Sequence, residues 1–420
     1  MREGSIGSKS VCIFSGVPSS LKFVFANKLI MATSTARGSG SGDKMLFTPG
    51  PLTTSLEVKQ AMLHDYGSRD RKFMETVADI HVQLLAVAGV DADAYAVVLM
   101  QGSGTFGVEA VVSSVFPPSV YEQVETEVQP RLLVLINGAY GERIAAMAQV
   151  HRLPSLCLRF DEDTPVDVEA AVRALQQHPS ITHAAVVHCE TSSGIMNPVE
   201  ALGEALASRC GRPVCYIVDA MSSFGGVPLD IPRSRISYLI TSSNKCIQGC
   251  PGFAVILAEL QHLRQTAGWA RTLSLDVYGQ WKTFLDTKQF RFTPPTHAIL
   301  AFHHALGELL QEGGVPGRAA RYRENNLTVR DGLTALGFSA FLNPSVQGHI
   351  ITSFRHLDHP SFDFQAIYAK LNERGCVIYP GKLTKANCFR IGNIGALGKP
   401  EMEYLVRSVA EVMTELGITN

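Results

Sequence analysis

Residues 214–219 read Val-Cys-Tyr-Ile-Val-Asp, and residues 238–245 read Tyr-Leu-Ile-Thr-Ser-Ser-Asn-Lys. Each starts as an apolar run too short for a helix and ends in polar residues where the run stops. Short unbroken apolar runs are the mark of strands covered on both faces, as in parallel sheets. Working outward, the pattern recurs at Tyr95–Met100, Leu132–Ile136 and Ala184–His188, with helical periodicity between the runs from about residue 76. This alternation predicts an α/β chain with a mainly parallel sheet and helices on both faces. In such sheets, ligands sit in the crevice beyond the carboxyl ends of the strands. The polar residues that close the runs are therefore the first place to look for chemistry.

The pattern changes after Pro294-Pro295. A helical stretch at 297–313 leads to alternating segments at His349–Phe354, Val377–Tyr379 and Cys388–Ile391. These predict a smaller C-terminal α+β domain, residues 306–420, closing on a large domain at 45–305. Residues 1–44 differ from both, with nine serines and six Lys/Arg against two Asp/Glu. They read as a leader or a disordered arm, which leaves mitochondrial and cytoplasmic residence both open.

Composition narrows the function. A formal net charge of -1 gives no basic field for nucleic acid or an anionic membrane, so an anion has to be bound locally. No apolar run approaches the roughly 20 residues needed to span a bilayer. The nine cysteines are scattered and contain no C-x-x-C unit, which argues against a disulfide framework and against zinc. The 13 histidines have no metal-ligand spacing.

Four segments carry candidate chemistry. Gln101-Gly-Ser-Gly-Thr-Phe-Gly107 follows an apolar run and precedes the helical pattern Val108–Phe116. Its glycines let a phosphate approach the backbone at a helix N-terminus, with Ser103 and Thr105 as hydroxyl donors. The same spacing matches a dinucleotide fingerprint, but the next run ends in Asn137-Gly138 instead of the acidic residue that such a site uses. Asp219 closes a buried run, where a carboxylate needs either a cation such as a pyridinium nitrogen or a helix-capping role. Lys245 lies just beyond another run, in a setting that lowers an amine pKa and suits Schiff-base chemistry, or else it is a solvated loop lysine. Arg390, within Cys388-Phe-Arg-Ile-Gly-Asn-Ile-Gly395, offers a planar fork to an acid group or a structural salt bridge.

Taken in order, Phe47-Thr-Pro-Gly-Pro-Leu-Thr-Thr54, Gln101–Gly104, Asn137-Gly-Ala-Tyr-Gly141, Val218–Gly226, Ser243-Asn-Lys-Cys-Ile-Gln-Gly249, Arg291-Phe-Thr293 and Phe389–Gly395 resemble the class V aminotransferases over about residues 45–415. The resemblance implies the fold type I architecture of pyridoxal-phosphate-dependent transferases and a homodimer with shared sites. Lys245 would carry pyridoxal 5′-phosphate, and Asp219 would partner its pyridine nitrogen. Tyr140 would stack on the ring, with Thr191 near its phenolic oxygen and Met221 on the opposite face. Ser103, Gly104, Thr105 and Asn244 would hold the phosphate, joined by Thr293 of the neighbouring subunit. Arg390 would bind the substrate's acid group.

Within the family, the longer blocks resemble the branch acting on 2-aminoethylphosphonate and pyruvate. An alanine:glyoxylate or serine:pyruvate enzyme shares every cofactor residue and stays open. A phosphonate needs donors beyond Arg390, for which Thr53, Thr54 and Arg69 are candidates, while His188, Glu190 and His297 read as supporting residues. Ser68-Arg-Asp70 and Cys250 depart from the family pattern at the substrate rim. A cysteine desulfurase needs a cysteine on a mobile loop, yet Cys376 and Cys388 fall in predicted strands. A non-catalytic relative would lack the lysine or the aspartate.

Overall fold

The computed structural model describes residues 42–120 and 131–418. The first 41 residues of the expected leader lie outside them. Fourteen strands are present among the described residues: β1 (Met45–Leu46), β2 (Tyr95–Gln101), β3 (Arg131–Ile136), β4 (Ser155–Arg159), β5 (Ile181–Val187), β6 (Cys189–Glu190), β7 (Ile195–Met196), β8 (Cys215–Asp219), β9 (Tyr238–Ser242), β10 (Phe253–Glu259), β11 (Ile351–Arg355), β12 (Cys376–Val377), β13 (Tyr379–Pro380) and β14 (Cys388–Gly392).

Seven of them form the main sheet in the order β2-β10-β9-β8-β5-β3-β4. All its neighbours are parallel except β10, which runs antiparallel between β2 and β9. The fold class read from the sequence therefore holds, with this one reversed strand added. Alternate side chains explain why the strands are apolar throughout. Val97 and Leu99 enter one core together with Val255 and Leu257, whereas Val98 and Met100 enter a second core with Ile256 and Ala258. Each strand is thus buried on both faces, as the period of two requires.

A second sheet, β11-β14-β13, packs over a separate core that includes Phe338, Phe354, Phe389 and Ile391. The N-terminal segment ties the parts together. Strand β1 pairs parallel with β12 at Met45↔Cys376, and the Phe47 carbonyl accepts from Gly392 N–H at 2.9 Å. The chain then crosses toward the main sheet at Pro49 and Gly50. No helix among the described residues is long and apolar enough to cross a membrane.

Candidate active site

The carboxyl ends of the main strands bring the predicted residues together. Beyond β2, the chain turns through Gly102 and enters the Gly104–Ser114 helix with Ser103 as N-cap, and the Ser103 side chain makes no cap hydrogen bond. Gly104 packs directly against Met221: a Cβ there would lie 2.1 Å from the Met221 Sδ, so the methionine side chain would have to move. Thr105 receives a hydrogen bond at 3.0 Å from the Arg143 guanidinium. Beyond β3, the Ala139–Val150 helix starts after Gly138 and carries both Tyr140 and Arg143. Arg143 was not foreseen, although its place three residues after Tyr140 puts both on one helix face.

Asp219 ends β8 with its side chain 7% exposed. One oxygen accepts Met221 N–H at 2.9 Å, and no other donor among the described residues bonds the carboxylate. It therefore shapes the following turn but caps no helix. Burial raises its pKa from 3.8 to about 6; the negative charge of Glu190 adds to this, and Met221 N–H, Arg143 and Lys245 oppose it. A small cavity of about 40 Å³ lies against it, lined by Thr105, Tyr140, Arg143 and Met221 among others.

Lys245 follows β9 in a tight turn. Its Nζ donates to the Pro49 carbonyl at 2.8 Å, and a Cβ on Gly50 would come within 2.4 Å of the same nitrogen. Glycine at 50 is thus what lets the N-terminal segment cover the lysine. Burial is the largest effect on the amine and lowers its pKa from 10.5 to about 8. A base with that pKa is substantially neutral near pH 8 and able to attack a carbonyl carbon. The turn is locked by Gln248, whose amide donates to the Tyr322 hydroxyl at 2.6 Å and the Gly395 carbonyl at 2.7 Å.

Arg390 is 4% exposed on β14. Its Nε donates to the Pro380 carbonyl at 3.0 Å and its Nη1 to the Thr191 carbonyl at 2.9 Å. Thr191 lies in the turn between β6 and β7, so its place next to Arg390 is set by backbone contact. Asn244 accepts from the Ser242 hydroxyl at 3.1 Å. Thr293 is exposed at the edge of the glycine turn, where its carbonyl accepts from the Gln101 amide at 2.8 Å.

The supporting residues have defined tasks. Glu190 is fully buried and accepts from Tyr140 N–H at 3.0 Å, Gly141 N–H at 3.3 Å, Ser192 N–H at 3.2 Å and the Ser192 hydroxyl at 2.7 Å. His188 meets the Ser223 hydroxyl at 3.0 Å, and burial lowers its pKa to about 4, so it is neutral. His297 is exposed at the start of the Thr296–Gln311 helix and faces Asp65 at 3.0 Å. Of the rim candidates, Thr53 has its hydroxyl engaged by Leu46 N–H at 2.8 Å. Burial raises the Cys376 and Cys388 thiols to about 11, which leaves both inert as nucleophiles. His183, Cys215 and His262 do cluster within 4.8 Å, a grouping that linear spacing had not revealed. Both His183 nitrogens already meet Thr182 and the Val115 carbonyl, and His262 Nδ1 meets the Tyr238 hydroxyl, so the cluster reads as packing.

Residues 62–394 match the model of the family described as aminotransferase class-V. The chain is 46% identical over 375 residues to the 2-aminoethylphosphonate--pyruvate transaminase of Syntrophobacter fumaroxidans, covering 89% of this chain and 97% of that protein. It is 45% identical over 377 residues to the protein of the same name from Klebsiella pneumoniae, covering 89% and 98%. Among solved structures, pyridoxamine-pyruvate aminotransferase from Mesorhizobium loti superposes with a TM-score of 0.78 at 24% identity, over 89% of this chain and 93% of that one. Alanine--glyoxylate aminotransferase from Nostoc gives 0.78 at 22% identity, over 92% and 98%. These two similarities establish the fold alone. With the family model spanning most of its length and relatives this similar covering it, the chain belongs to the class V aminotransferase family.

Proposed function

We propose that this chain is a pyridoxal-phosphate-dependent transaminase that moves the amino group of 2-aminoethylphosphonate to pyruvate, giving phosphonoacetaldehyde and L-alanine. The observation that carries it is the pairing of a depressed lysine amine with a buried carboxylate that has a single donor, across a cleft edged by a helix N-terminus and a buried arginine. The similarity to the two transaminases supports the choice of donor and acceptor.

The residues present fit the cofactor. Asp219 needs a cationic N–H partner, which a protonated pyridine nitrogen offers. The backbone N–H groups at Gly104 and Thr105, with the Ser103 hydroxyl and Asn244, suit a phosphate. When bound, pyridoxal phosphate supplies an electrophilic carbon for amines and a ring that stores an electron pair. Lys245 would hold the cofactor through its amine and, when that amine is free, would carry a proton to and from the reacting carbon. Asp219 would keep the ring nitrogen protonated, Tyr140 and Met221 would confine the ring, and Thr191 would serve its phenolic oxygen. Arg390 orients the acid group of either substrate through the guanidinium edge that Pro380 and Thr191 leave open. The segment 47–51 covers the lysine and limits water.

The same reading divides the chain into a cofactor-bearing part, 45–305, and a smaller part, 306–420, that delivers Arg390. It also makes the enzyme a homodimer to which Thr293 contributes across the interface. Phe106, Phe292 and Leu273 are 50%, 41% and 71% exposed around the glycine turn and Arg291, a patch suited to a second copy.

The test is the visible absorbance of the cofactor-loaded protein. Adding 2-aminoethylphosphonate without an acceptor should bleach the lysine-bound band, and pyruvate should restore it. A band that ignores the phosphonate but responds to alanine with glyoxylate, or to serine, would replace the substrate assignment with that of a relative in the family.

A further inference from the structure

Lys382 lies two residues past Pro380, whose carbonyl takes the Arg390 Nε–H. Strand β13 pairs with β14 at Tyr379↔Arg390, so the turn after Pro380 starts at the mouth of the Arg390 site. That turn is fastened to the far wall of the cleft. Thr384 donates to Glu162 through its N–H at 3.0 Å and its hydroxyl at 3.2 Å, and Lys385 pairs with Asp161. Held this way, Lys382 Nζ sits 5.1 Å from the centroid of the Tyr140 ring, the same ring that carries the Arg143 guanidinium at 4.9 Å.

A cleft of about 580 Å³ beside this contact is lined by Lys382, Thr384 and Lys385 together with Glu142, Asp161 and Glu162. Its other cations are already matched, Arg159 by Glu142 at 2.7 Å and Lys385 by Asp161. Lys382 makes no ion pair or hydrogen bond to any described residue, and its contact is the face of Tyr140. Burial does most to pull the Lys245 amine down, Cys246 and Asp219 oppose it, and the charges of Arg390 and Lys382 add smaller lowering effects, so both cations lie within electrostatic reach of the amine. An anion placed between Arg390 and Lys382 would be attracted by both.

Arg390 has spent its Nε and Nη1 on backbone carbonyls. What remains also lies within hydrogen-bonding reach of the Tyr140 side chain and can serve at most one planar, singly charged acid group. A phosphonate is tetrahedral and carries up to two negative charges, so it leaves an oxygen and a charge outside the guanidinium plane. An ammonium on a flexible stem is suited to that remaining charge.

We infer that Lys382 is the residue that distinguishes a phosphonate from a carboxylate substrate, Arg390 taking the first negative charge and Lys382 the second. The inference rests on the function proposed above and names the group that selects its donor. Lys382 is exposed at the rim, so its substitution leaves the cores intact.

The experiment compares Lys382→Met and Lys382→Arg with the wild-type holoenzyme in two half-reactions followed by absorbance, one with 2-aminoethylphosphonate and one with L-alanine. Loss of a charge-assisted contact should raise KM for the phosphonate by about 10- to 100-fold in Lys382→Met. The KM for alanine should stay within about twofold because its carboxylate is satisfied by Arg390. Lys382→Arg should recover most of the phosphonate affinity, and kcat should change little in either variant. An equal loss for both substrates, or no loss for either, overturns the inference while wild-type turnover of the phosphonate keeps the function. A wild-type enzyme that turns over alanine and ignores the phosphonate overturns the function, and the inference with it.

Discussion

The N-termini of the Gly104–Ser114 and Ala139–Val150 helices open on the same cleft, and the chain has closed only one of them. Both follow a strand and a glycine, and both begin with N–H groups that have no partner within the helix and with the positive end of a helix dipole. At the second, Glu190 reaches in from the β6–β7 hairpin and takes the N–H groups of Tyr140 and Gly141. At the first, no side chain caps the helix, and Thr105 meets a cation, Arg143, in place of an acid. The two buried carboxylates repeat the contrast, for Glu190 has four donors and Asp219 has one. Buried polar groups that the chain satisfies itself hold shape, and those it leaves short of partners mark where a ligand belongs.

Changing Asp219 should break this contrast most sharply. Asp219→Asn removes the acid that protonates the ring nitrogen, and kcat should fall by several powers of ten at most, roughly 10²- to 10⁴-fold in steady-state turnover. The same variant should gain stability without cofactor. Because burial raises the carboxyl from 3.8 to about 6, the folded chain binds the proton more tightly than the unfolded chain does. That stabilisation is complete below about pH 4 and is lost as pH rises through about 6. Cofactor-free Asp219→Asn should therefore melt above wild type at pH 7–8, by at most about 3 kcal/mol, with the difference vanishing toward pH 4. Equal melting of the two proteins across that range would mean that Asp219 is satisfied by the chain after all.

The next effect in size should come at the closed end. Glu190→Ala leaves buried N–H groups without an acceptor and should cost about 2–4 kcal/mol in denaturant unfolding of holoenzyme, with Glu190→Gln losing less. If Glu190→Ala instead lowered cofactor affinity with no loss of stability, the two ends would not differ as described. At the open end, Gly104→Ala drives a methyl group into the Met221 sulfur and should weaken cofactor binding about 10-fold or more in equilibrium titration, with a smaller effect on folding. Thr105→Ala should be the mildest, near 1 kcal/mol of cofactor affinity, since the backbone N–H groups remain.

The sequence exposes the open end more readily than the closed one, for a physical reason. The glycine turn, Asp219 and Lys245 each stand where a strand ends, so a polar residue closing an apolar run marks them locally, and Arg390 stands out as a charge inside the apolar run of β14. Glu190 acts 50 residues from Tyr140, and Pro49 lies 196 residues from the lysine it contacts. No periodicity encodes such pairings. Strand β10 was missed although Phe253–Glu259 is almost wholly apolar, and its antiparallel direction could not be read, because a run of apolar residues carries no direction. Arg143 and Lys382 depend on one helix face and one fastened turn meeting over Tyr140, which required the fold.

The most direct test is to reduce cofactor-loaded protein with borohydride, digest it, and locate the modified residue by mass. The account predicts a reduced cofactor adduct on Lys245 and on no other lysine. An adduct elsewhere, or none after cofactor has been supplied, would contradict it.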